Sequence, residues 1–156
     1  MAIYRIDTVQ DIPISLEKAW DFLSSPYNLK TITPPGMGFE IINGVGPTEK
    51  MFAGQVIVYK ITPIPGYRTE WVTEITHVKE GSYFIDEQRF GPYSLWHHKH
   101  QLTVIDGGVR MEDTIHYKIP FGILGRIMNA LFIKKQLKTI FDFRHSKLES
   151  LFGKMK

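Results

Sequence analysis

From Ser94 to Asp106 the chain reads SLWHHKHQLTVID, and alternation places Trp96, His98, His100, Leu102 and Val104 on one face of a strand. The apolar members of that set mark the face as the buried one, so two imidazoles point inward. A Gly107-Gly108 pair follows, then a second alternating run from Val109 to Ile119. A two-residue Gly-Gly loop pairs Asp106 with Val109, which sets Leu102 opposite Asp113 and His100 opposite Ile115. Met111, Asp113, Ile115, Tyr117 and Ile119 then share the inner face. Two histidines and an aspartate among large apolar groups are costly unless paired, hydrated or in use, so this interior reads as a lined cavity.

The same patterning organises the rest of the chain. Ile3 to Val9 alternates as a strand. Ser15 is placed as the N-cap of a helix carrying Leu16, Ala19, Trp20 and Leu23, which Pro26 ends. A second short helix through Tyr27, Leu29, Lys30 and Ile32 stops before Pro34-Pro35-Gly36. One short strand, Phe39 to Ile42, lies in a glycine-rich stretch from Gly36 to Gly54. Strands are then predicted over Gln55 to Thr62, Arg68 to Lys79 and Ser82 to Phe90, with breaks at Pro63 to Gly66, Glu80-Gly81 and Gly91-Pro92-Tyr93 short enough for hairpins. From Ile123 to Phe152 the spacing is helical, and Leu124, Ile127, Met128, Leu131, Leu137, Ile140, Phe141, Leu148 and Leu151 form an apolar stripe. The class is α+β: a curved antiparallel sheet of about seven strands around a long C-terminal helix, with two short helices after the first strand. The whole of 1–156 fits one domain.

Composition narrows the function classes. Of 156 residues, 43% are hydrophobic, well outside a disordered composition, and no run approaches the length of a membrane span. The absence of cysteine excludes disulfides, thiol catalysis and cysteine zinc sites, and no apolar leader precedes the first strand, so cytoplasmic residence is the expectation. The net charge of +3 is unevenly spread. From Ile123 onward eight basic residues face only Asp142 and Glu149. That helix reads first as a solvated outer face, with a weak anionic-membrane contact through Lys134, Lys135 and Lys138 as the sharper possibility. No RNA-binding signature is present, and Gly36 to Gly54 lacks the ending of a phosphate loop, so it reads as a lid over the cavity and no nucleic-acid partner is expected.

Several segments together carry a family resemblance: Asp86-Glu87-Gln88-Arg89-Phe90-Gly91-Pro92-Tyr93 before Trp96-His97-His98-Lys99-His100, then Met111-Glu112-Asp113, Tyr117-Lys118-Ile119-Pro120, Gly122-Ile123-Leu124-Gly125 and Ile140-Phe141-Asp142-Phe143-Arg144. With this element order the chain resembles the START/SRPBCC superfamily, which includes the birch-pollen allergen and polyketide aromatase/cyclases. Within it the chain is most similar to bacterial ligand-binding proteins labelled cell-division-inhibitor-like. The resemblance implies a helix-grip fold and a cavity between the long helix and the sheet. It transfers no catalytic residue set.

The Gly91-Pro92-Tyr93 loop places Asp86 across from His98 and Gln88 across from Trp96, while Phe84 and Phe90 against Tyr83 and Ile85 leave the inward face of their strand open between the two sides. The expected site therefore has Trp96, Tyr117 and Met111 as apolar wall and His98, His100, Asp113, Asp86 and Gln88 as its polar end, holding a hydrophobic or amphipathic small molecule with no cofactor. His98, His100 and Asp113 also make a two-histidine, one-carboxylate set, although no metal is expected in it. Arg144 reads as the partner of a carboxylate on the sheet or the helix elbow. The same polar set permits three further readings: a network that only organises the wall, a cyclase or dehydratase using His98 or His100 as acid/base, and an interaction module with a vestigial pocket.

Overall fold

The computed structural model describes residues 2–46, 48–64 and 66–155. Pro65, in the predicted Pro63 to Gly66 break, and Pro47, in the glycine-rich stretch, lie outside them. The alternating runs form seven strands: β1 (Tyr4–Ile12), β2 (Glu40–Ile41), β3 (Gln55–Ile64), β4 (Tyr67–Lys79), β5 (Tyr83–Phe90), β6 (Leu95–Ile105) and β7 (Gly108–Lys118). They pair antiparallel in one sheet, in the order β1-β7-β6-β5-β4-β3-β2. Everything from β3 to β7 is therefore a meander, and only β1 is brought back by a long-range pairing. This puts β5, β6 and β7 side by side in the body of the sheet, where the inward histidines and carboxylates sit.

Helix α1 (Leu16–Leu23) starts where expected, with the Ser15 hydroxyl accepting from the Lys18 amide at 3.2 Å. The second short helix of the elbow is a 3-10 turn, Pro26–Lys30, followed by another at Pro35–Met37. Pro26 stands in the first turn, where its missing amide costs no helical bond, and Pro34-Pro35 ends the elbow.

The β6–β7 hairpin turns on Asp106-Gly107, not on Gly107-Gly108. Gly107 has φ of 76°, the left-handed conformation such a turn needs, and Gly108 is already in β7 opposite Ile105. Glycine is required at 108 for a different reason: a Cβ there would collide with the Ile12 carbonyl of β1. The register accordingly sits two residues from the expected one, with Leu102 opposite Met111 and His100 opposite Asp113. A shift of two keeps every side chain on its predicted face.

The C-terminal helix is built as α2 (Gly122–Met128), a π turn (Asn129–Ile133) and α3 (Lys134–Phe152). Its inward face differs from the predicted stripe. Gly125, Asn129, Ile133, Leu137, Arg144 and Leu148 are buried, whereas Leu124, Ile127, Leu131 and Leu151 are exposed. Two causes act together. The inward positions of the first turns are small or polar: a Cβ at Gly125 would strike the Pro120 carbonyl, and Asn129 accepts a 2.9 Å hydrogen bond from the Tyr117 hydroxyl. The π turn also adds a residue to the helical repeat, so the 3.6-residue stripe loses phase there. On its inner side α3 is tied to β1 by the Gln10 amide, which donates to the His145 carbonyl at 2.9 Å.

The buried apolar side chains divide into groups. One surrounds Ile12, Ala19, Phe84, Leu102 and Leu148; another contains Ile115, Tyr117, Ile133 and Leu137; a third is Phe39, Ile61 and Trp71. The polar network and a hollow occupy the space among them. No helix among the described residues is long and apolar enough to cross a membrane.

Candidate functional site

The hollow lies between α3 and the sheet and encloses about 160 Å³ open to the centre of a water molecule. Strand alternation supplies its walls. Tyr59 comes from β3, Trp71 and Thr73 from β4, Phe84 and Asp86 from β5, and Trp96, His98 and His100 from β6; α3 closes it with Leu137, Ile140, Phe141 and Arg144. The aromatic part is continuous. Trp71 meets Trp96 edge-on at 5.3 Å and Tyr93 at 5.5 Å between centroids, and stacks near Tyr59 at 6.0 Å. From the glycine-rich stretch, Met37, Phe39 and Met51 also reach the lining.

The polar part is organised around Asp113, a fully buried carboxylate on β7. Its Oδ1 lies 3.0 Å from His98 Nε2 and 2.9 Å from His100 Nδ1, and Arg144 Nη1 approaches it at 3.5 Å. Thr8 on β1 donates to the other oxygen at 3.3 Å. With both rings turned to the same carboxylate oxygen, the opposite nitrogens face Asp86. His100 Nε2 is 2.8 Å and His98 Nδ1 3.5 Å from Asp86 Oδ2.

The two rings divide the carboxylates: His98 Nε2 donates to Asp113 Oδ1 and His100 Nε2 to Asp86 Oδ2, while His100 Nδ1 also faces Arg144 Nη2 at 3.4 Å. Burial presses the His100 pKa down, but the contacts with Asp113 and Asp86 outweigh burial and raise it above the ordinary histidine value. His98 moves the other way: burial first, then the neighbouring His100 charge, lowers its pKa. The rings are only 3.6 Å apart between centroids, too close for two imidazolium charges. Burial acts to raise both carboxyls and is overcome in each. Arg144, His100 and His98 hold Asp113 well below the usual range, while the two histidines lower Asp86. Asp86 and Asp113 thus face Arg144 and the two imidazoles, so the buried charges find their partners within the cluster. Phe84 stacks on the His100 ring at 4.2 Å, a placement that suits a cation against a π face.

Of the eight expected site residues, Trp96, His98, His100 and Asp86 line the hollow. Asp113 sits behind the histidines and orients them. Met111 is buried with its sulfur 3.7 Å from Arg144 Nη2, and Tyr117 stands behind Tyr93 and Trp96 with its hydroxyl spent on Asn129. Gln88 is outside the lining: its amide nitrogen donates to the Tyr93 carbonyl and its oxygen accepts from the Tyr93 amide, closing the β5–β6 loop. Among the described residues, the three groups whose ligand atoms converge within 4.8 Å, and which could hold a metal ion, are Asp86, His98 and His100. Asp113 would then be the outer carboxylate that orients both imidazoles, a different division from the His98, His100 and Asp113 set.

Sequence reasoning missed Tyr59, Trp71, Thr73 and Tyr93 as lining. The first three follow from carrying alternation through β3 and β4, as in Trp71-Thr73-Ile75; Tyr93 lies in a loop and has no periodic signal. Two donors on lining residues, Trp71 Nε1 and Arg144 Nε, are buried with no partner among the described residues. Such groups are normally satisfied, so they mark where an acceptor would be welcome.

The architecture recurs in solved structures. The Zhui aromatase/cyclase from Streptomyces sp. R1128 is 11% identical, with a TM-score of 0.70 over 95% of this chain and 94% of that one. Ara h 8.0201 is 15% identical, with a TM-score of 0.64 over 96% and 99%. A protein from Chromobacterium violaceum, 11% identical, gives a TM-score of 0.72 over 97% and 99%. No family model matches the sequence, and no curated protein matches it. At these identities the likeness is one of fold alone, a helix-grip arrangement of one antiparallel sheet and a long C-terminal helix.

Proposed function

We propose that residues 1–156 act as a single binding domain, in the cytoplasm, for a hydrophobic or amphipathic small molecule seated between α3 and the sheet. Within the superfamily the proposal groups the chain with the bacterial ligand-binding proteins labelled cell-division-inhibitor-like. The observation that carries it is that one hollow joins a continuous aromatic wall, Trp71, Trp96 and Tyr93, to a charge-balanced network ending in Asp86, His98 and His100. Mostly apolar lining with a few converging polar groups is the anatomy of a small-molecule site. The unpartnered donors on Trp71 and Arg144 favour a ligand whose polar end is an oxygen acceptor. Asp113 would set the histidines, Met111 and Tyr117 would back the wall, and Gln88 would fix Tyr93.

Native mass spectrometry of the purified protein, followed by denaturing extraction, tests this reading. A recurrent non-covalent apolar or amphipathic adduct is expected. It should disappear in Ile140→Trp, which fills the hollow, with folding checked by circular dichroism. An adduct unchanged in a folded Ile140→Trp protein would remove the hollow as the binding site.

A second reading is favoured by the Asp86–His100 pair, an imidazole nitrogen held 2.8 Å from a carboxylate oxygen at the edge of the hollow. That arrangement can protonate or deprotonate a bound carbonyl compound, as a cyclase or dehydratase requires. His100→Ala discriminates between the two: a binder loses affinity modestly, whereas an enzyme keeps its substrate and loses turnover.

A further inference from the structure

In the first turns of the C-terminal helix, Leu124, Ile127 and Leu131, which the sequence assigns to the core, are on the outside. Phe121, Ile123, Leu124, Ile127, Leu131 and Phe132 lie within twelve residues, and the least exposed of them, Ile127, keeps 51% of its surface. Ile123, Ile127 and Leu131 follow one another at four-residue spacing along one line of the helix. Phe121, at the start of α2, has φ of 70°, the only left-handed non-glycine conformation among the described residues, and its ring is 75% exposed. A bulky aromatic held in that conformation and turned to solvent is strain without a packing return. Soluble monomers rarely expose a contiguous apolar surface of this kind unless it is used.

Charge identifies what covers it. From Thr114 to Phe141 there is no acidic residue, while Lys118, Arg126, Lys134, Lys135 and Lys138 are basic. Lys138 pairs with Asp142 at 2.6 Å, but among the described residues no carboxylate pairs with Arg126, Lys134 or Lys135. A second copy docked on this face about a two-fold axis would set these cations against their own copies. An anionic bilayer satisfies both parts of the surface at once, taking the apolar side chains into the acyl boundary and the cations at the headgroups.

We propose that α2 and the π turn are an interfacial anchor for anionic phospholipid membranes. Phe121, Ile123, Ile127, Leu131 and Phe132 insert, and Arg126, Lys134 and Lys135 engage headgroup phosphates. A surface cleft of about 400 Å³ runs beneath this anchor, lined by Lys118, Phe121, Ile123 and Arg126, so cationic and apolar groups stay together at its base. Gln136, directly after Lys134-Lys135, lines the internal hollow. Anchoring therefore brings that hollow to the bilayer. This rests on the reading of the hollow as an amphipathic-ligand site and names the membrane as the place where that ligand is exchanged.

Co-flotation of the full chain with vesicles of phosphatidylcholine, with and without phosphatidylglycerol, tests the anchor. Wild type is expected to float with phosphatidylglycerol vesicles at low salt and to be released as salt rises. Lys134→Ala/Lys135→Ala should weaken binding roughly thirtyfold. Ile127→Glu/Leu131→Glu should abolish it, while the native-mass adduct of the hollow persists. Absence of wild-type flotation, flotation equal on neutral vesicles, or a dimer by light scattering that Ile127→Glu/Leu131→Glu converts to monomer would each overturn the anchor. Loss of the adduct with flotation intact would instead remove the ligand reading and leave the anchor standing.

Discussion

Arg144 on α3 reaches across the hollow to Asp113 on β7, with Nη1 3.5 Å from Oδ1 and both side chains buried. The contact joins the helix to the sheet at the point where two histidines depend on the same carboxylate. Replacing Arg144 by Met leaves Asp113 charged and dry with one compensating cation removed. Arg144→Met should cost about 3–5 kcal/mol in urea unfolding. Arg144→Met/Asp113→Asn should recover part of that loss, because the second change removes the stranded charge. A double variant as unstable as the sum of its singles would mean the two residues are not coupled.

The network predicts stability limits on both sides of neutrality. Asp113 and Asp86 have folded pKa values below the carboxylate reference of 3.8, so their contribution is full above that pH and is lost as pH falls through the folded values. His100 is raised above 6.5, so its contribution is full below 6.5 and is lost as pH rises through its folded value. His98 is lowered and acts with the opposite sign: its contribution is full above 6.5 and is lost as pH falls through its folded value. Unfolding midpoints measured from about pH 3 to about pH 9 should show the alkaline decline flattened in His100→Gln and the acid decline flattened in Asp113→Asn. In an NMR titration the His100 ring should respond above 6.5 and the His98 ring below it. The reverse order would overturn the opposite directions assigned to the two rings.

The sheet was legible because alternation is a local signal that survives changes of register. His98, His100, Asp113 and Trp96 could be placed on the inner face from period alone, even though the hairpin pairing was off by two residues. The Asp86–His98 pairing was legible from loop length. The division of labour inside the site was not, because it depends on distances across three strands. Asp86 faces the hollow and Asp113 lies behind it, although both looked equivalent in sequence. The outer face of the C-terminal helix was misread for a related reason. Hydrophobic spacing reports a face but not which neighbour it meets, and here Gly125 and Asn129 take the inward positions while Ile127 and Leu131 point out.

Asn129 tests that account. It is a buried polar residue at an inward position of the C-terminal helix that hydrophobicity would fill with leucine, and its Oδ1 accepts the Tyr117 hydroxyl at 2.9 Å. Tyr117→Phe keeps the ring contacts with Tyr4 and Tyr93 but strands the Asn129 oxygen. A loss of about 1–3 kcal/mol in denaturant unfolding is expected. A variant as stable as wild type would mean that water replaces the hydroxyl and that the bond does not position the π turn.

Gly107 and Gly108 are adjacent yet constrained by different physics, and substitution should separate them. Gly107 has the left-handed conformation of the turn, and its nearest neighbour to an added Cβ is the Met155 methyl at 3.6 Å, an ordinary contact. Gly107→Ala should therefore cost about 1 kcal/mol in conformational strain, and Gly107→Asn less, since Asn tolerates that region. Gly108 has no such conformation, but its Cβ would enter the Ile12 carbonyl and approach Pro13 Cα at 3.1 Å, so the β1 edge must move to admit it. Because β1 also carries Thr8 to Asp113 and Gln10 to α3, that movement reaches the site. Gly108→Ala should destabilise more than Gly107→Ala, and only Gly108→Ala should shift the His98 and His100 resonances. Equal losses with unmoved histidine signals would show that the β1 edge yields locally and that its register is set elsewhere.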